Sequence, residues 1–319
     1  MTGTSDPSFS IVTACLNRVD NVGRAVESVL AQNYPAVEHI VIDGGSTDGT
    51  LDVLARYPHL KVVSEPDRNL YDAMNKGLRL AGGDAVGLLN SDDAYAPGTL
   101  AKAAEHLSDP AVEMVIGGAE FFALHEGRET VLRRYMGLHE TGLVEANAID
   151  NVTLINASFL RRSLIARVGW FDDRFPLGSD KDYWMRLVLA QPAHRLVPLV
   201  FYRYLSHGGS LTFSGADMRD ALSAELLTLA QTRLAECRPD TAEYAAYRRW
   251  HAWAVGYRML QLGAQGRLLP LLQTARDGWG MDSTWPLRFV MRLPRHWRDR
   301  DVRRGLPPDA IPQRHWQTR

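Results

Sequence analysis

The chain contains only two cysteines, Cys15 and Cys237, among its 319 residues. A disulfide framework or a cysteine-based zinc cluster is therefore not expected, and this composition fits a reducing compartment such as the cytoplasm. The sequence also lacks a run of about 18 apolar residues, so no membrane-spanning helix is predicted. Its first residues lack a basic segment followed by an apolar one, which argues against a signal peptide.

An excess of charge of either sign is also missing, because 36 basic side chains balance 37 acidic ones to a net charge of −1. A general attraction to nucleic acid is therefore not expected. The charge is unevenly distributed, since residues 281–319 carry nine arginines against four aspartates, a net of +5. This basic tail, which also contains several aromatic residues, differs in composition from the rest of the chain.

Short apolar segments alternate with helical patterns in the first third of the chain. Strands are predicted at Phe9–Leu16 and around Ile40–Ile42, and apolar residues at helical spacing predict a helix between them at Asn21–Gln32. The alternation continues through two further strands, in the segments LKVVSE and DAVGLL, which favours a mostly parallel sheet flanked by helices. Beyond about Asp217 the pattern is helical. The sequence thus predicts an α/β fold with a helical C-terminal extension.

Acidic residues follow three of the predicted strands. Asp43 follows the second strand, Glu65 and Asp67 follow the third, and the adjacent pair Asp92 and Asp93 follows the fourth. Ligands of such sheets bind beyond the carboxyl ends of the strands, so these acids are expected at one functional edge. Two carboxylates about 4 Å apart repel by roughly 4 kcal/mol at an effective dielectric near 20. The adjacent pair therefore requires water, a cation or a set of hydrogen-bond donors around it.

The glycine-rich segment IVIDGGSTDGT lacks the spacing of a dinucleotide-binding fingerprint or a P-loop, which disfavours a dehydrogenase or a P-loop enzyme. On spacing alone it is equally well explained as a tight turn. The segment NSDD suits Mg²⁺ or Mn²⁺, which takes one or two protein carboxylates together with substrate phosphates. A solvated helix cap is the alternative interpretation of the same acids.

Four segments occur in the order FSIVTACLNR, HIVIDGGSTDGT, SEPDRNLYDAMNKGLRLAGGDAVGLLNSDD and SDKDYWMRL. In this order they resemble glycosyltransferase family 2, and within it the bacterial exopolysaccharide and colanic-acid-type enzymes. The resemblance covers roughly residues 8–215. It implies a GT-A fold with a Rossmann-like sheet, a nucleotide-diphospho-sugar donor, Mn²⁺ or Mg²⁺, and inversion at the sugar carbon.

The resemblance also implies an organisation of the chain and a set of donor-binding residues. Residues 1–215 match the GT-A domain, with a nucleotide-sugar-binding half, 1–110, and an acceptor-side half, 111–215; a helical extension, 216–280, and the basic aromatic tail, 281–319, follow. Asp43 matches the acid that contacts the donor base, and Arg68 matches a donor-contacting position. The positions expected to line the base and ribose are Thr13, Cys15 and Asn17.

Three further acids receive roles by the same resemblance. Asp92 matches the first acid of the DxD-like pair, which faces ribose and metal, and Asp93 matches the second, the metal ligand proper. Asp180 matches the proposed general base. The family often has Glu-Asp at this place and this chain has Ser179-Asp180, with Asp182 close enough to confuse the assignment. Without the resemblance, Asp180 reads as a plain helix cap, since Ser179 or Asp180 is suited to cap the predicted helix.

Two features keep alternative interpretations open. His207 lies where such enzymes have a loop near the donor phosphates, so it is a candidate contact to the diphosphate or the metal, and equally an ordinary surface histidine. The tail, residues 281–319, suits an anionic membrane surface. Packing of its aromatic side chains on the catalytic domain or on a second subunit is the alternative.

These observations predict a cytoplasmic, metal-dependent, inverting glycosyltransferase, peripheral at the inner face of the cell membrane if the tail binds lipid. A UDP-sugar donor is expected first, with GDP- or TDP-sugars as alternatives, and the acceptor is a saccharide or lipid-linked saccharide in surface-polysaccharide assembly. Two other functions remain open. A sugar-nucleotide pyrophosphorylase shares the sheet architecture and metal use, and a non-catalytic scaffold would bind sugar nucleotide or carbohydrate without turnover.

Overall fold

The structure, a computed structural model, describes residues 6–125, 128–136, 143–150, 154–206 and 216–298. One central sheet contains the strands β1 (Phe9–Cys15), β2 (Val37–Asp43), β3 (Leu60–Ser64), β4 (Ala85–Leu88), β5 (Ala94–Tyr95), β6 (Met114–His125), β7 (Arg128–Tyr135), β8 (Ser158–Arg161) and β9 (His194–Leu205). The strand order is β3-β2-β1-β4-β8-β6-β9-β5, with β7 paired to β6.

The sheet has a parallel half and a mixed half. β3, β2, β1 and β4 are parallel to one another. β8 is antiparallel to both β4 and β6, whereas β6 and β9 are parallel. The α/β fold and the predicted alternation of strand and helix are confirmed. The first four strands, β1 to β4, form the predicted parallel arrangement.

Helices cover the sheet and extend beyond it. They are α1 (Val22–Leu30), α2 (Thr50–Leu54), α3 (Leu70–Leu80), α4 (Thr99–Leu107), α5 (Glu145–Asp150), α6 (Arg162–Val168), α7 (Ser179–Ala190), α8 (Ala216–Glu236), α9 (Ala242–Ala264), α10 (Leu268–Met281) and α11 (Trp285–Arg298). A 3-10 turn, Ile155–Ala157, precedes β8. The helical C-terminal extension is confirmed, and it includes α11 within the basic tail.

The buried core joins the sheet to the C-terminal helices. All residues of β1 are buried, and Val12 belongs to one apolar cluster that also contains Met74 of α3, Trp184 of α7, Leu229 of α8 and Trp250 of α9. Helix α3 crosses β1 so closely that a Cβ on Gly77 would lie 2.2 Å from Val12 Cγ1. The extension is therefore part of the same core and is not an appendage to it.

Both cysteines are free, with Cys15 buried and Cys237 partly buried. Across the described ranges, no helix is both long and apolar enough to cross a bilayer. In the tail, Trp285 is buried, and Phe289 lies so close to α9 that a Cβ on Gly256 would be 2.3 Å from its ring. These two aromatic side chains therefore pack on the protein, while Leu287, Val290 and Met291 of the same helix are exposed.

Candidate active site

A cavity of about 670 Å³ opens beyond the carboxyl ends of β1 and β4. Its wall combines the residues after these two strands, the loop leading into α3, the segment leading into α7, and the first turns of α8. The lining side chains with carboxylate, amide, ammonium or guanidinium groups are Asn17, Arg18, Asp67, Arg68, Asn69, Asn90, Asp92, Asn156, Asp180, Lys181 and Arg219. This is the edge of the sheet at which the sequence places the acids.

The cavity brings together five of the residues that the sequence selects: Cys15, Asn17, Arg68, Asp92 and Asp180. Three others, Thr13, Asp43 and Asp93, do not line it and are fully buried. His207 lies outside the described residues.

Asp43 and Thr13 lie behind the cavity wall. The Asp43 carboxylate accepts hydrogen bonds from Ser64 Oγ at 2.6 Å, from the Ser46 hydroxyl, and from the Gly45 and Ser46 amides. Burial alone would raise the pKa of Asp43, but these donors lower it below the usual value. Thr13 Oγ1 is hydrogen-bonded to His39 Nε2 at 2.9 Å. Direct donor contact by either residue therefore stays a prediction. In this conformation Asp43 supports the turn that follows Gly44, and Thr13 joins β1 to β2 through His39.

The two acids of NSDD occupy different environments. Asp92 lines the cavity. Asp93 accepts three hydrogen bonds, from Tyr202 Oη at 2.5 Å, from Asn90 Nδ2 at 3.1 Å and from the Leu205 amide at 2.8 Å. Burial, together with the neighbouring charge of Asp92, raises the pKa of Asp93 to about 7. In this conformation Asp92 is the acid of the pair that lines the cavity, and the role of Asp93 as the metal ligand proper stays a prediction.

Hard oxygen donors are present beside Asp92. Asn90 Oδ1 is buried and has no hydrogen-bond partner within the described ranges, and Asn90 also lines the cavity. No group of three or more His, Cys, Asp or Glu side chains that could hold a metal occurs among the described residues. One carboxylate with a neighbouring amide oxygen fits Mg²⁺ or Mn²⁺, because such ions complete their coordination with water and substrate phosphates.

Arg68 reaches the cavity from the loop before α3. Its guanidinium pairs with Asp72 at 3.0 Å and with Asp173. Asn69 begins α3 by accepting hydrogen bonds from the amides of Tyr71 and Asp72 at 3.0 and 3.2 Å. The sequence NLYD thus fixes the first turn of α3, and that turn places Tyr71 on the cavity wall.

Asp180 is held at the cavity by the start of α7. The N-cap residue is Gly178, without a side-chain hydrogen bond, so the expected cap by Ser179 or Asp180 is wrong. Burial raises the pKa of Asp180, and the charge and backbone amide of Lys181, together with a hydrogen bond from the Tyr71 hydroxyl, oppose that rise. Tyr71 itself stacks on Phe171 with ring centroids 5.3 Å apart. A half-buried carboxylate with a raised pKa and fixed donors, the Lys181 amide at 2.9 Å and the Tyr71 hydroxyl, suits a general base.

A carboxylate from the C-terminal extension completes the start of α7. Glu225 Oε1 of α8 accepts hydrogen bonds from the Leu177 and Gly178 amides at 2.7 and 2.8 Å. A Cβ on Gly178 would lie 2.7 Å from Leu226 Cδ2, so the two helices meet closely here. Glu225 therefore acts as a cap that another helix supplies. The amides that it binds belong to residues two and three positions before Asp180.

Asp182, the neighbour with which Asp180 is easily confused in sequence, belongs to the interior. Its carboxylate is fully buried and accepts hydrogen bonds from Arg186 at 2.8 Å, from Tyr247 at 2.9 Å, and from Arg233 at 2.8 and 2.9 Å. These donors come from α7, α9 and α8. Asp182 therefore joins α7 to the extension, and Asp180 is the acid of this helix that lines the cavity.

Sequence reasoning missed several residues of the wall. Tyr71 lies in the segment NLYDAMNKG, which is part of the family resemblance, but no sequence motif marks its hydroxyl as a partner of Asp180. Glu225 and Arg219 lie in a helical pattern about 40 residues beyond Asp180, and nothing local in the sequence marks them as neighbours of the cavity. Only the packing of α8 against α7 reveals them.

Comparison with known proteins points in one direction. Residues 10–169 match the model of the family described as Glycosyl transferase family 2. An uncharacterized glycosyltransferase of Mycobacterium tuberculosis is 36% identical over 190 residues, which cover 58% of this chain and 71% of the relative. A PGL/p-HBAD biosynthesis glycosyltransferase of Mycobacterium bovis is 28% identical over 218 residues, covering 64% of this chain and 78% of the relative.

Solved structures share the fold at low sequence identity. S. aureus TarS in complex with UDP-GlcNAc superposes with a TM-score of 0.62 at 16% identity, covering 92% of this chain and 88% of the other. The mannosyltransferase PcManGT from Pyrobaculum calidifontis, in complex with GDP-Man and Mn²⁺, gives a TM-score of 0.57 at 20% identity. The match covers 91% of this chain and 85% of the other. These matches extend the fold similarity into the C-terminal helices.

Proposed function

Since this chain belongs to glycosyltransferase family 2 and is a glycosyltransferase, we propose that it transfers a sugar, with inversion, from a nucleotide-diphospho-sugar to a hydroxyl acceptor. The observation that carries the proposal is the cavity that holds both Asp92 and Asp180. The alternatives, a pyrophosphorylase and a non-catalytic scaffold, receive no support from the family to which the chain belongs.

The donor binds, in this proposal, at the ends of β1 and β4. Cys15 and Asn17 face the nucleoside, and Asp92 with Asn90 faces the diphosphate and its cation. Support comes from the position of these residues on one wall and from the unpartnered Asn90 Oδ1. The neighbours solved with UDP-GlcNAc and with GDP-Man make UDP- and GDP-sugars the first donors to test.

Asn90 and Asp92 are the residues that would hold Mn²⁺ or Mg²⁺, with Asp93 beneath them as their support. When bound, such an ion stabilises the negative charge of a departing diphosphate. The buried hydrogen bonds that Asp93 accepts from the Tyr202 hydroxyl and from the Leu205 amide tie the NSDD turn to β9. Asp93 as a direct ligand remains the alternative, and it would require these hydrogen bonds to be exchanged.

Asp180 acts as the base in the proposed reaction. The acceptor hydroxyl oxygen forms a bond to the anomeric carbon, its proton passes to the Asp180 carboxylate, and the bond from that carbon to the diphosphate oxygen breaks. The nucleoside diphosphate leaves with the electron pair, and attack from the opposite face inverts the configuration. Tyr71 stabilises the ionised form of Asp180 before the proton arrives.

The test is sugar transfer from UDP- and GDP-sugars to a panel of saccharide acceptors, followed by release of nucleoside diphosphate and by NMR of the new anomeric centre. Asp180→Asn is expected to lower kcat by about 10²–10⁴-fold while donor binding is kept. Full activity of Asp180→Asn, or retention of anomeric configuration, would contradict the proposed mechanism. A cytoplasmic location and a role in surface-polysaccharide assembly belong to the same proposal and rest on the sequence resemblance.

A further inference from the structure

Helix α10 has two apolar faces, and the described part of the chain covers only one of them. Leu271, Ala275 and Gly278 recur at i, i+4 and i+7 and face α9: a Cβ on Gly263 would lie 3.5 Å from Leu271, and one on Gly278 would lie 2.9 Å from Val255. The adjoining face is exposed. It carries a stripe of Leu268, Leu272 and Trp279, with Leu269 beside it.

Helix α11 repeats this arrangement. Trp285 and Phe289 pack towards α9, whereas Leu287, Val290 and Met291 lie on the exposed side at helical spacing. The seven most exposed large apolar side chains of α10 and α11 are between 58% and 74% accessible. We call these seven residues the outer stripe: Leu268, Leu269, Leu272, Trp279, Leu287, Val290 and Met291.

The charge around the outer stripe is basic. Residues 267–298 contain six arginines against two aspartates, a net of +4. One of these aspartates, Asp282, is buried and paired with Arg248 at 2.7 Å, so its charge does not face solvent. Arg276 lies within the α10 stripe, one turn from Leu272 and from Trp279, and is 79% exposed.

We propose that the outer stripe binds the surface of an anionic lipid bilayer, with its leucines, methionine and tryptophan in the interface and its arginines at the lipid phosphates. Amphipathic helices with Leu and Trp on one side and Arg at the border bind bilayers in this way. A second copy of the chain fits less well, because a symmetric contact would bring the two basic surfaces together. The proposal concerns attachment and is independent of the chemistry in the cavity.

Vesicle co-sedimentation of the full chain tests the proposal. Phosphatidylcholine vesicles with and without phosphatidylglycerol are compared at low and high salt. Wild type is expected to pellet with the anionic vesicles, to do so less at high salt, and to stay largely in solution with phosphatidylcholine alone. Equal binding to both vesicle types, or none to either, would overturn the proposal.

Matched variants locate the surface. Leu268→Gln with Leu272→Gln, and Leu287→Gln with Met291→Gln, are each expected to weaken partitioning by about tenfold or more. Arg276→Glu is expected to weaken it by at least about fivefold. The control is Leu80→Gln with Leu199→Gln, two leucines 50% and 46% exposed elsewhere on the molecule, which should bind as wild type does.

Two further readouts separate the proposal from its rivals. Circular dichroism melts should show that each stripe variant is as folded as the control. Sedimentation velocity without lipid reports the oligomeric state. Stripe variants that keep full vesicle binding, or a wild-type dimer that the stripe substitutions turn into monomers without any lipid binding, would overturn the proposal and assign the surface to a second copy.

Discussion

Two neighbouring aspartates with different surroundings are the centre of the candidate site at the residue scale. Their adjacency raised the question of what offsets their repulsion, and the structure answers it for one of them. Asp93 is surrounded by donors from Asn90, Tyr202 and the Leu205 amide, whereas Asp92 faces the cavity. Three donors thus hold the Asp93 carboxylate in the interior, whereas Asp92 is the acid of the pair that lines the cavity.

This difference predicts opposite phenotypes. Asp93→Ala leaves three buried donors without an acceptor and should lower the free energy of unfolding by about 3 kcal/mol. Asp92→Ala should change that free energy by less than about 1 kcal/mol and still abolish metal-dependent turnover. Urea titration and a manganese-dependent assay measure the two effects. If Asp93→Asn folded normally and lost metal dependence while Asp92→Asn kept it, the roles implied by the sequence would be the correct ones.

The hydrogen bond from Tyr71 to Asp180 predicts a change in pH dependence. A base must be ionised, so activity rises with pH through the pKa of Asp180, which burial raises above its usual value. Tyr71 lowers that pKa, so Tyr71→Phe should move the acid limb of kcat/KM to higher pH and leave the rate on the plateau less affected. The pH–rate profiles of the two proteins measure the shift. An unchanged or acid-shifted limb would show that Tyr71 does not act on the base.

At the scale of the element, the start of α7 depends on α8. Helix N-termini need acceptors for their first amides, and here Gly178 offers no side chain for this purpose. Glu225, from outside the helix, accepts hydrogen bonds from the Leu177 and Gly178 amides, at and just before the N-cap, and so holds the backbone that enters α7. The position of Asp180 is thus set partly by a residue of the C-terminal extension.

Glu225→Ala is therefore expected to lower kcat by about tenfold or more, since small displacements of a catalytic group are costly. Donor KM should be nearly unchanged. Glu225→Gln, which keeps the accepting oxygen, should restore most of the rate. The matched control is Glu105→Gln, an exposed acid paired with Lys102 on α4. A rate for Glu225→Ala equal to that of the control would show that the cap does not position the base.

Helices and strands could be predicted where apolar residues recur with a clear period. Contacts between residues far apart in the sequence could not be predicted. Asn21–Gln32 was expected as a helix and is found at Val22–Leu30; the strand expected at Phe9–Leu16 ends at Cys15. The cap of α7 was predicted wrongly, because local sequence cannot reveal an acceptor about 45 residues away. The resemblance selected Asp180, but the contacts that support it come from α3 and α8.

At the scale of the whole molecule, the chain folds around a core that crosses the expected boundary at residue 215. Asp182 of α7 is fully buried between Arg186, Arg233 and Tyr247, and Arg233 also pairs with Asp172 at 2.9 Å. The expected division at residue 215 separates two stretches of sequence whose side chains share one buried core. We expect the two parts to unfold together.

Arg233→Met tests this unity. Removing one partner from a buried pair leaves an insufficiently compensated charge, so the free energy of unfolding should fall by about 3–5 kcal/mol. Denaturant titrations followed by far-UV circular dichroism and by tryptophan fluorescence should give coincident single transitions for wild type. Two separate transitions would mean that the extension is an independent unit.

The central feature of the proposed enzyme is a nucleoside-diphosphate site at Asn90 and Asp92. The most direct measurement is thermal unfolding with UDP, GDP, TDP, CDP and ADP, each with and without Mn²⁺, on wild type, Asp92→Ala and the exposed control Glu105→Gln. A ligand at 100 times its Kd adds about 2.7 kcal/mol, a shift of several degrees. One nucleotide that stabilises wild type and the control only with Mn²⁺, and fails with Asp92→Ala, is the predicted result. No stabilisation by any nucleotide, or equal stabilisation of Asp92→Ala, would contradict the assignment of this cavity as the donor site.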